Sequence, residues 1–163
     1  MSQATDRIVE VCAIEVDDDF NEIDSFHAFI NPQRKVPWFV TRIHGLNNEF
    51  LDDKPIFSDI GRDLLLFLEG SELWAHNMSF DAGMLNAEFA RNRLPTLEKV
   101  DCRLNCTLQL ARSTFPGQKN SLDALLDRFA IDRSERRLHG AMIDTRLLVK
   151  VYQNLVSYRT KTS

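Results

Sequence analysis

Apolar and polar positions change period several times along the chain, and each change marks an element. Residues 7–16 (RIVEVCAIEV) are rich in β-branched side chains and almost continuously apolar apart from Glu10 and Glu15, the pattern of a buried strand. The polar run DDDFNE follows as a turn, and IDSFHAFI alternates well enough to return beside the first strand as a hairpin. Residues 31–50 carry two prolines, a glycine and little periodicity, so a long loop with one short helical turn is expected there. Loops of that length in a compact domain are more often functional than idle.

From Pro55 the period becomes helical. Phe57, Ile60, Leu64, Leu65 and Leu68 form one stripe, and EGSELWAHN then supplies a turn and a short strand. SFDAGMLNAEFARNR predicts a helix with Phe80, Met84, Leu85 and Phe89 facing inward. A short strand is expected around Val100–Cys102, then the helix CTLQLARSTF, stopped by Pro116–Gly117. Asn120 or Ser121 caps LDALLDRFAI, whose stripe is Leu122, Leu125, Leu126 and Phe129. The last helix is expected from about Gly140 to Tyr158, built on Ile143, Leu147, Leu148, Val151 and Leu155.

A hairpin, then alternating helices and strands, then a run of helices predicts an α/β or α+β domain around one mixed sheet. The expected domain spans residues 1–158, with 159–163 as a tail. Only four strands serve five helices, and the chain opens directly on what should be an interior strand.

Composition narrows the class without fixing it. Of the 163 residues 44% are apolar and 27% charged, ordinary for a globular protein and enough for one domain with a core. No apolar run approaches the roughly 20 residues that span a bilayer. The first residues lack the basic-then-apolar order of a secretory signal, so a cytoplasmic protein without membrane association is expected. Cys12, Cys102 and Cys106 have no metal-site spacing and read as buried thiols in a reducing compartment. A net charge of −4 argues against broad electrostatic wrapping of nucleic acid, though not against an enzyme that grips one chain end. Acids concentrate at Asp17–Asp19 and Asp52–Asp53, and bases at Arg128, Arg133, Arg136 and Arg137.

Two acids and a histidine stand out. Asp81 follows a predicted strand and sits in the first turn of the next helix, where ligands bind in open α/β sheets but where a carboxylate also stabilises the helix locally. Asp144 lies in the first turn of the last helix beside an apolar stripe, as a boundary residue or as a ligand. His139 would point about 140° away from Asp144 on a continuous helix, so the pair has a joint role only if His139 stands on the preceding loop. Arg136 and Arg137 would then supply positive potential near a phosphate.

These residues fall in stretches that resemble a known family. HNMSFDAGML (76–85) and HGAMID (139–144) are similar to the second and third motifs of the DEDDh exonucleases, which use four acids and a histidine on a ribonuclease H-like fold. IHGLNNEFLDDKPIF (43–57) and TLQLARSTFPGQKNSLDALLDRFAID (107–132) extend the likeness, and RIVEVCAIEV resembles the family's second strand. The nearest likeness is to the proofreading epsilon subunits of bacterial DNA polymerase III. The resemblance implies a ribonuclease H-like mixed sheet flanked by helices, and 3′–5′ hydrolysis of DNA by two divalent cations, Mg²⁺ or Mn²⁺. It implies Asp81 and Asp144 as metal ligands and His139 as general base, and His44, Gly45, Asn77 and Phe80 around the terminal nucleotide. The implied partners are a single-stranded or frayed DNA 3′ end and a polymerase subunit.

The family's first motif, Asp-x-Glu before Thr-Thr-Gly, does not occur in the 163 residues. Asp6, Glu10, Asp17 and Asp19 stand at the wrong places to replace it. Met1–Ser2–Gln3 leads straight into ATDRIVEV, which in the family follows that motif, so an N-terminally shortened domain is expected, short of its first central strand. The resemblance then implies weak metal binding, low activity and a sheet with unpaired edges. The polymerase-binding tail of the epsilon subunits is not apparent after VYQNLVSYRTKTS either. A non-catalytic nucleic-acid-binding or scaffold protein that kept the fold is the alternative reading.

Overall fold

The hairpin forms much as its alternation dictates. In the computed structural model, which describes residues 7–34, 48–134 and 140–162, β1 (Glu10–Val16) pairs with β2 (Glu22–Phe29). The turn between them is held by Asp17, whose Oδ1 accepts the Asp19 and Asn21 N–H groups at 2.9 Å each. Every residue of β1 keeps some exposure and Glu15 is open to solvent, so the strand is half-covered rather than buried as expected.

Strand β1 begins at Glu10 rather than at position 7 because the residues before it are held by side chains. Arg7 donates through Nε and Nη2 to the two carboxylate oxygens of Glu88, at 2.7 and 3.1 Å, and the Ile8 N–H reaches the same carboxylate at 3.3 Å. Arg91 adds a third cationic contact at 3.1 Å. The Glu88 side chain is only 1% exposed, so this carboxylate is fully desolvated and matched by two guanidinium groups.

Contacts gather the described residues into two compact units, and both strand pairs contribute residues to each. The first holds residues 7–12, 26–34, 48–73 and 79–104. The one helical turn expected in the long loop is α1 (Asn48–Leu51); residues 35–47 lie outside the described residues. Helix α2 (Phe57–Leu68) buries Phe57, Leu64, Leu65 and Leu68, with Ile60 partly covered, and Asp59 reaches back to the Ile56 N–H at 3.2 Å. Gly61 lies inward on the same helix: a Cβ there would come within 2.9 Å of the Phe57 ring and 3.0 Å of Leu94. Strand β3 (Glu72–Ala75) leads to α3 (Met78–Arg91), where Met84 and Phe89 are buried and Phe80 and Leu85 only partly so.

The strand expected around Val100–Cys102 starts later. A 3₁₀ turn (Glu98–Val100) and Asp101, at φ 63°, redirect the chain first, and β4 (Arg103–Cys106) follows, pairing with β3. One mixed sheet was expected; among the described residues the four strands form two separate pairs.

The second unit holds residues 13–25, 74–78, 105–134 and 140–162. Its core joins α4 (Thr107–Thr114), α5 (Leu122–Arg128) and α6 (Ala141–Thr162) through Ala111, Phe115, Leu125, Leu126, Leu147, Val151 and Leu155. Leu122, Phe129 and Ile143 pack partly buried against them, and Leu148 is likewise only partly covered. Ser121 is the cap of α5, accepting the Ala124 N–H at 3.1 Å. Helix α6 runs through Thr162, so residues 159–162, expected as a tail, form its last turn. The hairpin tip meets α6 twice: Phe20 stands edge-on to Tyr152, itself 4.4 Å from the Trp74 ring, and Glu22 pairs with Arg146 at 3.0 and 3.3 Å. No described helix is long and apolar enough to cross a membrane. None of the three cysteines is in a disulfide, and only Cys102 is buried; Cys12 and Cys106 are partly exposed, unlike the buried thiols expected.

Removing Glu88 leaves two partly covered arginine charges and an Ile8 N–H without its carboxylate acceptor. Glu88→Ala is expected to cost about 3–5 kcal/mol of unfolding free energy, read from urea denaturation. A loss below about 1 kcal/mol would show the cluster to be solvated.

Candidate functional site

The carboxyl end of β3 feeds directly into α3 through a sharp corner. His76 follows the strand in the turn, Asn77 takes a left-handed backbone with φ 79°, and Met78 opens the helix. The Met78 N–H is aimed at Cys106 Sγ, 3.4 Å away. Phe80 and Asp81 come in the first turn of α3, Phe80 partly buried.

His76 is held on both ring nitrogens. Nε2 lies 2.8 Å from the Asn120 carbonyl and Nδ1 lies 2.9 Å from the Thr107 hydroxyl. A carbonyl only accepts, so Nε2 carries the proton and Nδ1 accepts from Thr107. Burial pushes the imidazole below its usual pKa and the positive charge of Arg112 adds to this, against the opposing pull of the Asn120 carbonyl. His76 is therefore a neutral fastener and not a proton carrier at neutral pH. Asn120, read from the sequence as a candidate cap, is buried instead: its amide donates to the Phe115 and Gln118 carbonyls, and its Oδ1 accepts from Arg128. The sequence reading missed His76, Thr107 and Asn120 as a group. HN immediately before a helix start and N-S-L-D after a Pro-Gly stop were the available signals.

Asp81 stands apart from other acids of the chain. Water reaches its carboxyl, yet the protein gathered around it removes part of its hydration, and this desolvation pushes the group up to about 6 against the pull of its own backbone N–H. A helix N-terminus ordinarily favours the charged form, so here desolvation wins. Acids displaced in this sense are common where charge is handled by a ligand.

Asp144 occupies the first turn of α6 as expected, partly buried, with its N–H on the Gly140 carbonyl at 3.0 Å. Asp81 belongs to the first unit, and Asn77 and Asp144 to the second. His139, His44 and Gly45, with Arg136 and Arg137, lie outside the described residues. The carboxylates of Asp81 and Asp144 are hard oxygen donors of the kind that Mg²⁺ or Mn²⁺ takes. Among the described residues no three His, Cys, Asp or Glu side chains gather to hold a metal ion.

Comparison with known proteins gives concordant matches. Residues 1–152 match the family described as Exonuclease. The chain is 45% identical over 159 residues to the DNA polymerase III subunit epsilon of Rickettsia conorii, covering 94% of this chain and 67% of that protein. Its structure is similar to Exonuclease X in complex with 5′ overhanging duplex DNA, with TM-score 0.61 and 27% identity over 90% of this chain and 83% of the other. The product-bound structure of exonuclease I shares the fold at TM-score 0.81 and 18% identity, covering 95% of this chain and 40% of the other. These likenesses make the fold ribonuclease H-like. The chain spans between 60% and 69% of the length of curated relatives it matches.

The raised Asp81 carboxyl has a stability signature. Its protonated form is favoured in the fold, a contribution fully present below the ordinary value of 3.8 and lost as pH rises through about 6. At pH 8 the wild-type fold therefore carries a cost that a neutral amide avoids. In metal-free buffer Asp81→Asn is expected to raise the unfolding free energy at pH 8 by about 1–2 kcal/mol, less than the whole shift would give because water reaches the group. The gain should vanish below pH 4. Urea titrations at the two pH values check this, and an equal effect at both would mean that desolvation is not the cause.

Proposed function

The chain belongs to the exonuclease family, and on that premise we propose that it removes nucleotides from DNA 3′ ends, as a proofreading-type 3′–5′ exonuclease. The observation that carries the reading is Asp81, a partly desolvated acid in the first turn of the helix that follows β3. In this reading Asp81 and Asp144 hold divalent cations, Mg²⁺ or Mn²⁺. The two ions, when bound, neutralise charge on the attacking and leaving oxygens of an in-line displacement.

His139 takes a proton from the attacking water, a task suited to an imidazole whose ordinary pKa lies near neutrality. Asn77, Phe80, His44 and Gly45 line the terminal nucleotide, Phe80 by stacking and Asn77 by its amide. A single-stranded or frayed end fits this set, because an unpaired terminal base is free to stack. The relative's name as a polymerase subunit supports association with a polymerase. The 163 residues contain no Asp-x-Glu, so in this reading low cation affinity and a low rate are expected of these residues by themselves.

The test uses single-stranded DNA labelled at its 5′ end, with Mg²⁺ or Mn²⁺, and follows stepwise shortening. Slow 3′ trimming is expected, abolished by Asp144→Asn and lowered about 10²–10⁴-fold by His139→Ala. Fusing a preceding strand that carries Asp-x-Glu should raise the rate steeply; equal rates with and without it would overturn the proposed impairment. DNA binding with no trimming in either form would favour a binding or scaffold protein.

A further inference from the structure

The last turns of α4 and α6 lie against each other and form a surface cavity of about 490 Å³. Ser113 and Thr114 of α4 line it together with Tyr158, Arg159 and Thr162 of α6. Space of that order takes a small ligand. Arg159 is the charged group in the wall: its Nη1 donates to Ser113 Oγ and to Thr114 Oγ1, at 2.9 Å each. Both acceptors are neutral, so these bonds orient the guanidinium without cancelling its charge. The edge of the fork made by Nε and Nη2 is the one that grips two oxygens of an oxyanion at once. Tyr158, 40% exposed, is braced 4.9 Å from the Phe115 ring and brings a phenol that can donate to the same oxyanion.

The carboxyl ends of two helices oppose an anion, since their exposed carbonyls carry negative potential. Here hydroxyls cover some of those carbonyls: Ser113 and Thr114 both donate to the Leu110 carbonyl, at 2.9 and 2.7 Å, and Thr162 donates to that of Tyr158 at 2.9 Å. Two helix ends together amount to roughly one negative charge. Against it the same last turns carry Arg112, Arg159 and Lys161. The chain as a whole is at −4, yet residues 104–122 and 145–163 contain no Asp or Glu, so cations dominate this end of the unit. We infer that the cavity is a phosphoryl-binding site, in which the Arg159 fork and the Tyr158 hydroxyl hold the oxygens of a phosphate group. It is distinct from any site at Asp144, because Asp144 and Arg159 stand in the first and last turns of one 22-residue helix, roughly 20 Å apart along its axis. The same chemistry is offered by a free phosphate ester, such as a nucleoside monophosphate, and by the backbone of a nucleic acid strand.

Inorganic phosphate is titrated into the full chain at constant ionic strength, with a chelator present, and the backbone ¹⁵N–¹H signals of Ser113, Thr114 and Arg159 are followed. Saturable shifts are expected there, and none in a matched chloride titration. Arg159→Gln should raise the Kd for phosphate about 10-fold or more. Tyr158→Phe, which keeps the ring against Phe115, should raise it about 3- to 10-fold. Should Arg159→Gln fail to fold, Arg159→Lys takes its place, keeping the charge but losing the fork, with a rise of about 3-fold or more. Two further titrations separate the sources. A free ester as ligand makes thymidine monophosphate bind more tightly than phosphate and leaves oligothymidylate binding indifferent to Arg159→Gln. A backbone phosphate as ligand makes that variant bind oligothymidylate about 3- to 10-fold more weakly, with a salt slope smaller by about 0.7. Shifts that do not saturate, or a phosphate Kd unchanged by the Arg159 substitution, overturn the inference and leave the exonuclease reading standing.

Discussion

A carboxylate sealed from water is the constraint around which the first unit is arranged. Glu88 has two arginines on it, and through Arg7 and Ile8 it sets where the first strand begins. An ion cluster of this kind is exacting: it costs hydration for each charge and returns it only if every partner is present. The same helix carries Asp81 seven residues earlier, close to the same stripe of the helix surface. One acid is compensated by cations of the chain itself. The other is partly desolvated, and this burial pushes its carboxyl up to about 6. That contrast sets two acids of a single helix apart by how their loss of hydration is met.

The corner before α3 follows a similar logic with neutral groups. His76 joins the Thr107 hydroxyl to the Asn120 carbonyl, and the Asn120 side chain is met by Phe115, Gln118 and Arg128; no buried side-chain polar atom among the described residues lacks a partner. A complete network of this type fixes geometry more than it adds stability, since each bond replaces one that water would have made. It places the end of a strand firmly, and the residue that departs from ordinary backbone geometry lies just beyond it.

Much of this was legible in the chain. The hairpin, the stripe of α2, the burial of Leu125, Leu126, Leu147, Val151 and Leu155, and the helix-start positions of Asp81 and Asp144 all follow from local period and local chemistry. What was illegible is non-local. Arg7 and Glu88 are 81 positions apart and His76 and Asn120 are 44 apart, so no window of sequence contains either pair. The late start of β1 is a consequence of the first of those distant pairings. The delay of β4 has a nearer cause, the left-handed turn at Asp101, which an aspartate permits but does not announce. The pairing of four strands as two separate pairs was hidden too, because period reveals which face of a strand is apolar and not which strand lies beside it.

The hairpin tip is fastened to α6 by two contacts that respond to solvent in opposite senses. The Glu22–Arg146 pair is exposed, and dissolved salt screens it within a Debye length. The contact of Phe20 with Tyr152, backed by Trp74, is apolar, and strongly hydrated salts reinforce it. A rise in a strongly hydrated salt, such as sulfate, that loosens one anchor tightens the other. The tip is thereby buffered against salts of that kind, and with it the helical turn that bears Arg146 and, two residues before it, Asp144.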